Sequence, residues 1–128
     1  MNYSMNENGF TGHLPFGDIQ ISGDEEYGFR PYQLLISSLA VCSGGVMRKV
    51  LDKMRMPAKD IQIEVTEVVR NDEEAGRVEK VHLHFTITGD IDEKKMARVM
   101  ELTRKNCSMV QSVKDSIEII ESFEVRQT

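Results

Sequence analysis

Cys42 and Cys107 are the only two thiols in a chain of 128 residues, and they are the side chains best suited to chemistry. A thiolate attacks peroxides and disulfides, and a second thiol close by captures the resulting sulfenic acid as a disulfide. The pair is therefore a candidate redox couple. The competing reading makes both of them small core hydrophobes, since free cysteine is among the most buried residue types. The setting of Cys42 favours chemistry. Ser38 precedes it by one helical turn, and Ser43, Gly44 and Gly45 follow it. Two glycines inside a helix cost about 1 kcal/mol each relative to alanine, which implies close approach of another backbone, helix or ligand.

Other residues compete less well. His82 and His84 are two apart on an expected strand and share its polar face, while both cysteines are expected to point to the core, so a metal site using all four is not expected. His13 adds little, and no metal is assigned. The carboxylates are read as scattered along wet faces and loops, with no pair placed for acid–base work. No serine has a nucleophile-elbow pattern, and no glycine cluster has phosphate-loop spacing.

The elements that would position the thiols follow from the pattern of apolar residues. Pro31 can open a helix, where its missing N–H is tolerated, and Pro57 stands where a helix cannot continue. The bracketed stretch is one long helix of about 26 residues, roughly 39 Å. From Leu34 to Met47 it is apolar on every side, which places Cys42 in a buried half. From Arg48 onward it is one-sided, through Met47, Val50, Leu51 and Met54. Upstream, Phe10 to Phe16 and Ile19 to Ile21 alternate as two short strands, while residues 1–9 are polar and are expected to form a loose lead-in. Downstream, Ile61, Ile63 and Val65 define a strand, and Val68-Val69 marks a bulge or a face switch. A loop at 71–76 leads to a strand through Val81, Leu83, Phe85 and Ile87. Asp92 is an N-cap candidate for a helix whose inner face is Met96, Val99, Met100, Thr103 and Cys107. A further turn from Met109 to Val113 and a strand through Ile117, Ile119, Phe123 and Val125 close the chain. Strands and helices without regular βαβ alternation indicate α+β, with mainly antiparallel sheets. A helix apolar all round is more than one small sheet covers, so a homodimer is expected.

Length bounds the chain to one domain, residues 1–128. A net charge of −5 and no basic cluster argue against a nucleic-acid partner. The apolar run is shorter than a bilayer span and is interrupted by Ser and Gly, so no membrane association is expected. The N-terminus lacks the features of a secretory signal, which makes the cytoplasm the default compartment, where a structural disulfide is uncommon.

Three segments together resemble a known family. Pro31-Tyr32-Gln33-Leu34-Leu35, then Ile36 to Cys42, then a later helix ending Asn106-Cys107-Ser108, are similar to the OsmC/Ohr superfamily of peroxide-stress proteins. That family carries a Pro-x-Glu-Leu-like or Pro-Glu-x-Leu start, a cysteine eleven positions after the proline, and a second cysteine late in the next long helix. Pro31 and Cys42 stand eleven apart. The resemblance covers roughly Ile19 to the C-terminus.

The resemblance implies an OsmC-like α+β fold: antiparallel sheets wrapped around two central long helices in an intertwined homodimer, with active sites at the subunit interface. It implies a peroxiredoxin-like, thiol-dependent peroxidase reducing organic hydroperoxides, with Cys42 peroxidatic and Cys107 resolving. No bound cofactor is implied, only an external dithiol reductant such as a lipoyl group. Family peroxidases also carry a glutamate in the Pro-Glu-x-Leu start that orients an upstream arginine toward the thiolate. Here Tyr32 and Gln33 follow Pro31, and Arg30 is the only arginine before Cys42. Arg30 and Gln33 are the stand-ins on offer. The alternative implied by that departure is a non-catalytic or sensor protein of the same fold, binding a small apolar molecule at the dimer interface.

Overall fold

A computed structural model describes all of residues 1–128. The elements run β1 (Asn2–Met5), β2 (Phe10–His13), β3 (Asp18–Ile21), α1 (Pro31–Lys53), β4 (Asp60–Asn71), β5 (Arg77–Thr88), α2 (Met96–Asn106), α3 (Ser108–Val113) and β6 (Glu118–Arg126). The chain divides into two compact units, Met1–Ser37 and Ser38–Thr128. The strands explain the division. They form two separate sheets, β1-β2-β3 and β4-β5-β6, each closing its main-chain hydrogen bonds within itself.

In the first unit, β1 pairs antiparallel with β2, from Asn2 opposite His13 to Met5 opposite Phe10, and β2 pairs antiparallel with β3. The expected loose lead-in is thus a strand over Asn2–Met5. Its four side chains are all exposed, so it is held by main-chain pairing and carries none of the alternation by which a half-buried strand is recognised. Helix α1 begins at Pro31. The Arg30 N–H donates to Gln33 Oε1 at 3.2 Å, the reach-back of a residue in the first turn to the capping position.

In the second unit, β4 and β5 form a long antiparallel hairpin with register shifts between Val65 and Glu67 and between Val69 and Arg70, so the break in alternation there is a bulged stretch. The hairpin turns at Ala75 and Gly76, both at positive φ (59° and 72°). β6 lies parallel to β5, from Lys80 opposite Glu118 to Thr88 opposite Arg126. The larger sheet is therefore mixed: the segment holding α2 and α3 carries the chain back along the sheet, so β6 enters in the same direction as β5.

The core of this unit is built from one face of β5 and from the three helices. Val81, Leu83, Phe85 and Ile87 from β5 are fully buried, as are Met96, Val99 and Val110. From α1, Leu39, Ser43, Met47 and Leu51 are fully buried, at spacings of four, the period of one helix face. The opposite face is open: Val41 is 71% exposed. Helix α1 is long and apolar enough to cross a membrane by length and composition, a property it shares with core helices of water-soluble proteins. It ends at Lys53, earlier than Pro57, because the turn at Met54 and Arg55 takes Arg55 to a positive φ of 60°.

Candidate active site

Ser43 occupies the buried stripe of α1, so its neighbour Cys42, about 100° away around the helix, lies at the rim and is half-buried instead of sitting in the core. Cys107 is the fully buried thiol. It does not continue the inner face of α2 as periodicity suggests. The helix stops at Asn106, and Cys107 adopts an extended conformation (φ −84°, ψ 106°). Its sulfur accepts the Val110 N–H at 3.5 Å and so caps α3, a use of the side chain that competes with helical continuation.

That break brings the two thiols together. Each thiol shifts the ionisation of the other. Ser43 Oγ lies 3.3 Å from Cys107 Sγ, and Ser108 Oγ lies 3.7 Å from Cys42 Sγ.

Their ionisation differs. At Cys42, partial burial works against the thiolate, but hydrogen bonds from the Met109 N–H, Cys107, the Ser108 hydroxyl and the Ser108 N–H outweigh it, and the thiol falls below its ordinary value. At Cys107 burial dominates. Bonds from Ser43 and the Val110 N–H oppose it, the proximity of Cys42 adds to it, and the thiol is pushed up. Half-exposure and a lowered pKa suit Cys42 to meet an oxidant.

Behind Ser43 stands a carboxylate that the alternation of β6 conceals. Glu121 takes an inward position after Ile117 and Ile119, and its side chain is 6% exposed. Not all carboxylates therefore lie on wet faces. Arg104 Nη1 lies 3.6 Å from Glu121 Oε1, and the same guanidinium nitrogen donates to the Ile119 carbonyl at 2.8 Å. Burial raises the Glu121 pKa, while Arg104 and a hydrogen bond from Ser43 pull the other way. The signal in sequence is a single acidic residue within an apolar period-two stripe.

Arg30 and Gln33 lie in the first unit. Besides the Arg30 N–H bond to Gln33, the Arg30 guanidinium lies 4.9 Å from the centroid of the Tyr32 ring. The groups that stabilise the Cys42 thiolate are Met109, Cys107 and Ser108. His82 and His84 do share the polar face of β5, where both point at Ser122 Oγ at 2.8 Å, and His13 pairs with Asp18 at 2.9 Å. No group of three or more His, Cys, Asp or Glu side chains is arranged to hold a metal ion.

Comparison with known proteins settles the family. The family profile described as OsmC-like protein matches residues 23–122, more than three-quarters of the chain, including both cysteines. The chain belongs to the OsmC-like family. Among solved structures, this OsmC-like chain is similar to a hypothetical protein from Aquifex aeolicus VF5, with 25% identity and a TM-score of 0.88 over 99% of this chain and 95% of that one. An OsmC-like protein from Mycoplasma pneumoniae gives 16% identity and a TM-score of 0.82 over 99% and 94%. An organic hydroperoxide resistance protein OsmC from Legionella pneumophila gives 17% and 0.77 over 96% and 93%. These likenesses establish the α+β OsmC fold. A search of curated proteins finds no match.

Proposed function

We propose that this OsmC-like protein is a thiol-dependent peroxidase that reduces organic hydroperoxides, with Cys42 peroxidatic and Cys107 resolving. The observation that carries the reading is the asymmetry of the two adjacent thiols: one half-exposed and acidified by N–H and O–H donors, the other buried beside it. The family, and the name of the Legionella relative, point to the same redox theme. The Cys42 thiolate attacks one peroxide oxygen, an S–O bond forms, the O–O bond breaks, and the alkoxide leaves as an alcohol after taking a proton. Cys107 then displaces the sulfenic oxygen as water and closes the disulfide. An external dithiol, such as a lipoyl group, supplies the two electrons that reopen it.

The working unit we propose is a homodimer in the cytoplasm. A groove of about 450 Å³ is lined by Val41, Gly44, Gly45, Arg48, Ile61 and Ile63. Gly44 lets α1 approach β4, since a Cβ there would stand 2.6 Å from Ile63 Cδ1, whereas a Cβ on Gly45 meets nothing within 4 Å. The face is mixed, with Val41, Ile61 and Ile63 apolar and Arg48, Lys59 and Asp60 charged, and a second copy of α1 is the occupant proposed for it. The same groove supports a second reading, a non-catalytic or sensor protein holding a small apolar molecule there.

Titration with an alkyl hydroperoxide and with hydrogen peroxide separates the readings. Free thiols are counted in the native chain, in Cys42→Ser and in an unfolded control. The peroxidase reading expects both thiols to disappear at about one equivalent, much faster than in the unfolded chain. Equal rates in the folded and unfolded chains overturn it. Sedimentation at micromolar concentration tests the dimer, and a stable folded monomer contradicts it.

A further inference from the structure

The face of β5 turned away from the core carries two imidazoles. His82 and His84 alternate with the buried Val81, Leu83 and Phe85, so they stand on the opposite side of the strand from the core that holds Cys107. Residues two apart on a strand are separated by roughly 6.5 Å along its axis. The two rings nevertheless turn toward a single atom: His82 Nε2 and His84 Nδ1 each lie 2.8 Å from Ser122 Oγ on β6. The far side of His84 fixes which of its nitrogens holds the proton. His84 Nε2 faces Glu124 Oε1 at 3.5 Å, and the same oxygen accepts the Thr86 hydroxyl at 3.1 Å. The Thr86 bond first, and then His84, hold the Glu124 carboxyl below its ordinary value, so it is an anionic acceptor near neutrality. With the proton of neutral His84 on Nε2, the lone pair is on Nδ1, aimed at Ser122. An imidazole whose outer N–H goes to a carboxylate and whose inner lone pair looks toward a shared point is arranged as metal-binding histidines are.

We propose that His82 Nε2 and His84 Nδ1 form an exchangeable site for a divalent first-row ion that favours imidazole, with Zn²⁺ the type ion, and that Glu124 orients His84 within it. An ion about 2.0–2.1 Å from each nitrogen takes the space between the rings. The Ser122 hydroxyl, which now points into that space, turns aside about its Cα–Cβ bond. Water fills the remaining positions. Two protein ligands are fewer than the four of a closed structural zinc site, which makes the ion exchangeable and agrees with the lack of any three-residue His, Cys, Asp or Glu cluster. Binding here needs neither thiol nor oxidant, so the site stands whether or not the peroxidase reading does.

The charge around the pair suits a cation. Glu64 and Glu67 on β4 are the register partners of His84 and His82, and Glu124 lies beside His84. Against them stand Lys80, 3.1 Å from Glu67, and Arg126, 3.8 Å from Glu124. Three carboxylates against two cations leave the patch negative. The pair is also within reach of solvent, since the His84 side chain is 28% exposed. A solvated strand whose histidines merely bond a serine makes a different prediction at Ser122. If that hydroxyl is all that aligns the rings, removing it scatters them and weakens any ion binding. If the rings form a chelate, with Glu124 holding His84, removing the hydroxyl clears the space the ion needs. His13 is the internal contrast, because it faces a carboxylate, Asp18 at 2.9 Å, with no second imidazole across from it.

The test titrates ZnCl₂ and NiCl₂ into the full chain by isothermal calorimetry. Cys42→Ser is the background throughout, because it removes the accessible thiol, the other side chain that takes these ions. The chelate predicts one ion per chain in this background. It predicts that His82→Gln and His84→Gln each weaken binding by about tenfold or more, and that Glu124→Gln weakens it about tenfold through loss of the orienting bond. Ser122→Ala should bind as tightly as the background or more tightly, and His13→Gln should change nothing. No binding in the background overturns the site. So does a His82→Gln or His84→Gln chain that binds as tightly as the background, or a loss in Ser122→Ala as large as in those two. If a variant does not fold, the imidazole C–H signals of the background chain carry the test in proton NMR. Zn²⁺ should shift those of His82 and His84 and leave that of His13 in place, and equal shifts at all three, or none at His82 and His84, overturn the site.

Discussion

Cys42 and Cys107 are the same residue type, neighbours in space, and their thiols move in opposite directions: Cys42 down, Cys107 up. The difference has two physical causes. At the rim of α1 desolvation is partial, and N–H and O–H donors from the start of α3 win. In the core, desolvation wins although Ser43 and the Val110 N–H oppose it. A pair built this way has a built-in order, since the thiol that ionises first is also the one that an oxidant can reach, and the other waits behind it.

The comparison can be broken most decisively at Cys42. Cys42→Ser should lower hydroperoxide-driven loss of the remaining thiol by roughly 100-fold, because Cys107 alone is buried and protonated. A smaller change, about tenfold at pH 7, should separate Cys107→Ser from Cys42→Ser in alkylation by iodoacetamide, with the Cys42 thiol titrating below and the Cys107 thiol above an unstructured cysteine peptide. Ser108→Ala should raise the Cys42 titration and slow its alkylation near neutrality by about threefold, leaving the backbone donors in place.

The smallest effect concerns Glu121. Its folded carboxyl holds its proton to higher pH than the unfolded chain does, so its penalty is absent at pH values below the ordinary carboxyl range. The penalty grows as pH rises through that range toward the raised value. The native protein should therefore lose about 1–2 °C of Tm relative to Glu121→Gln between pH 4 and pH 7 in a thermal melt.

How much of this was legible in the sequence depended on whether a residue obeyed its element's period. Long α1, the β4–β5 hairpin and the core stripe of β5 carry strong apolar periodicity, and the cysteine eleven residues after Pro31 pointed to the family. The strand Asn2–Met5 was invisible because all its side chains face water. An all-apolar stretch does not reveal which face meets the core, and Ser43, not Cys42, takes the buried register. Cys107 broke α2 through a side-chain cap, and propensity does not encode that choice. Glu121 was hidden by the assumption that a carboxylate on a strand faces solvent, although its place in the Ile117–Ile119 alternation pointed inward. The parallel entry of β6 depends on the path of the α2–α3 segment, a tertiary property.

The redox pairing itself is tested most directly by peptide mass mapping after one equivalent of an organic hydroperoxide. The account predicts a single intrachain cross-link joining the Cys42 and Cys107 peptides, and in Cys107→Ser a sulfenic acid trapped at Cys42. A Cys42 oxidised to sulfinic acid beside a Cys107 that remains a free thiol would contradict it.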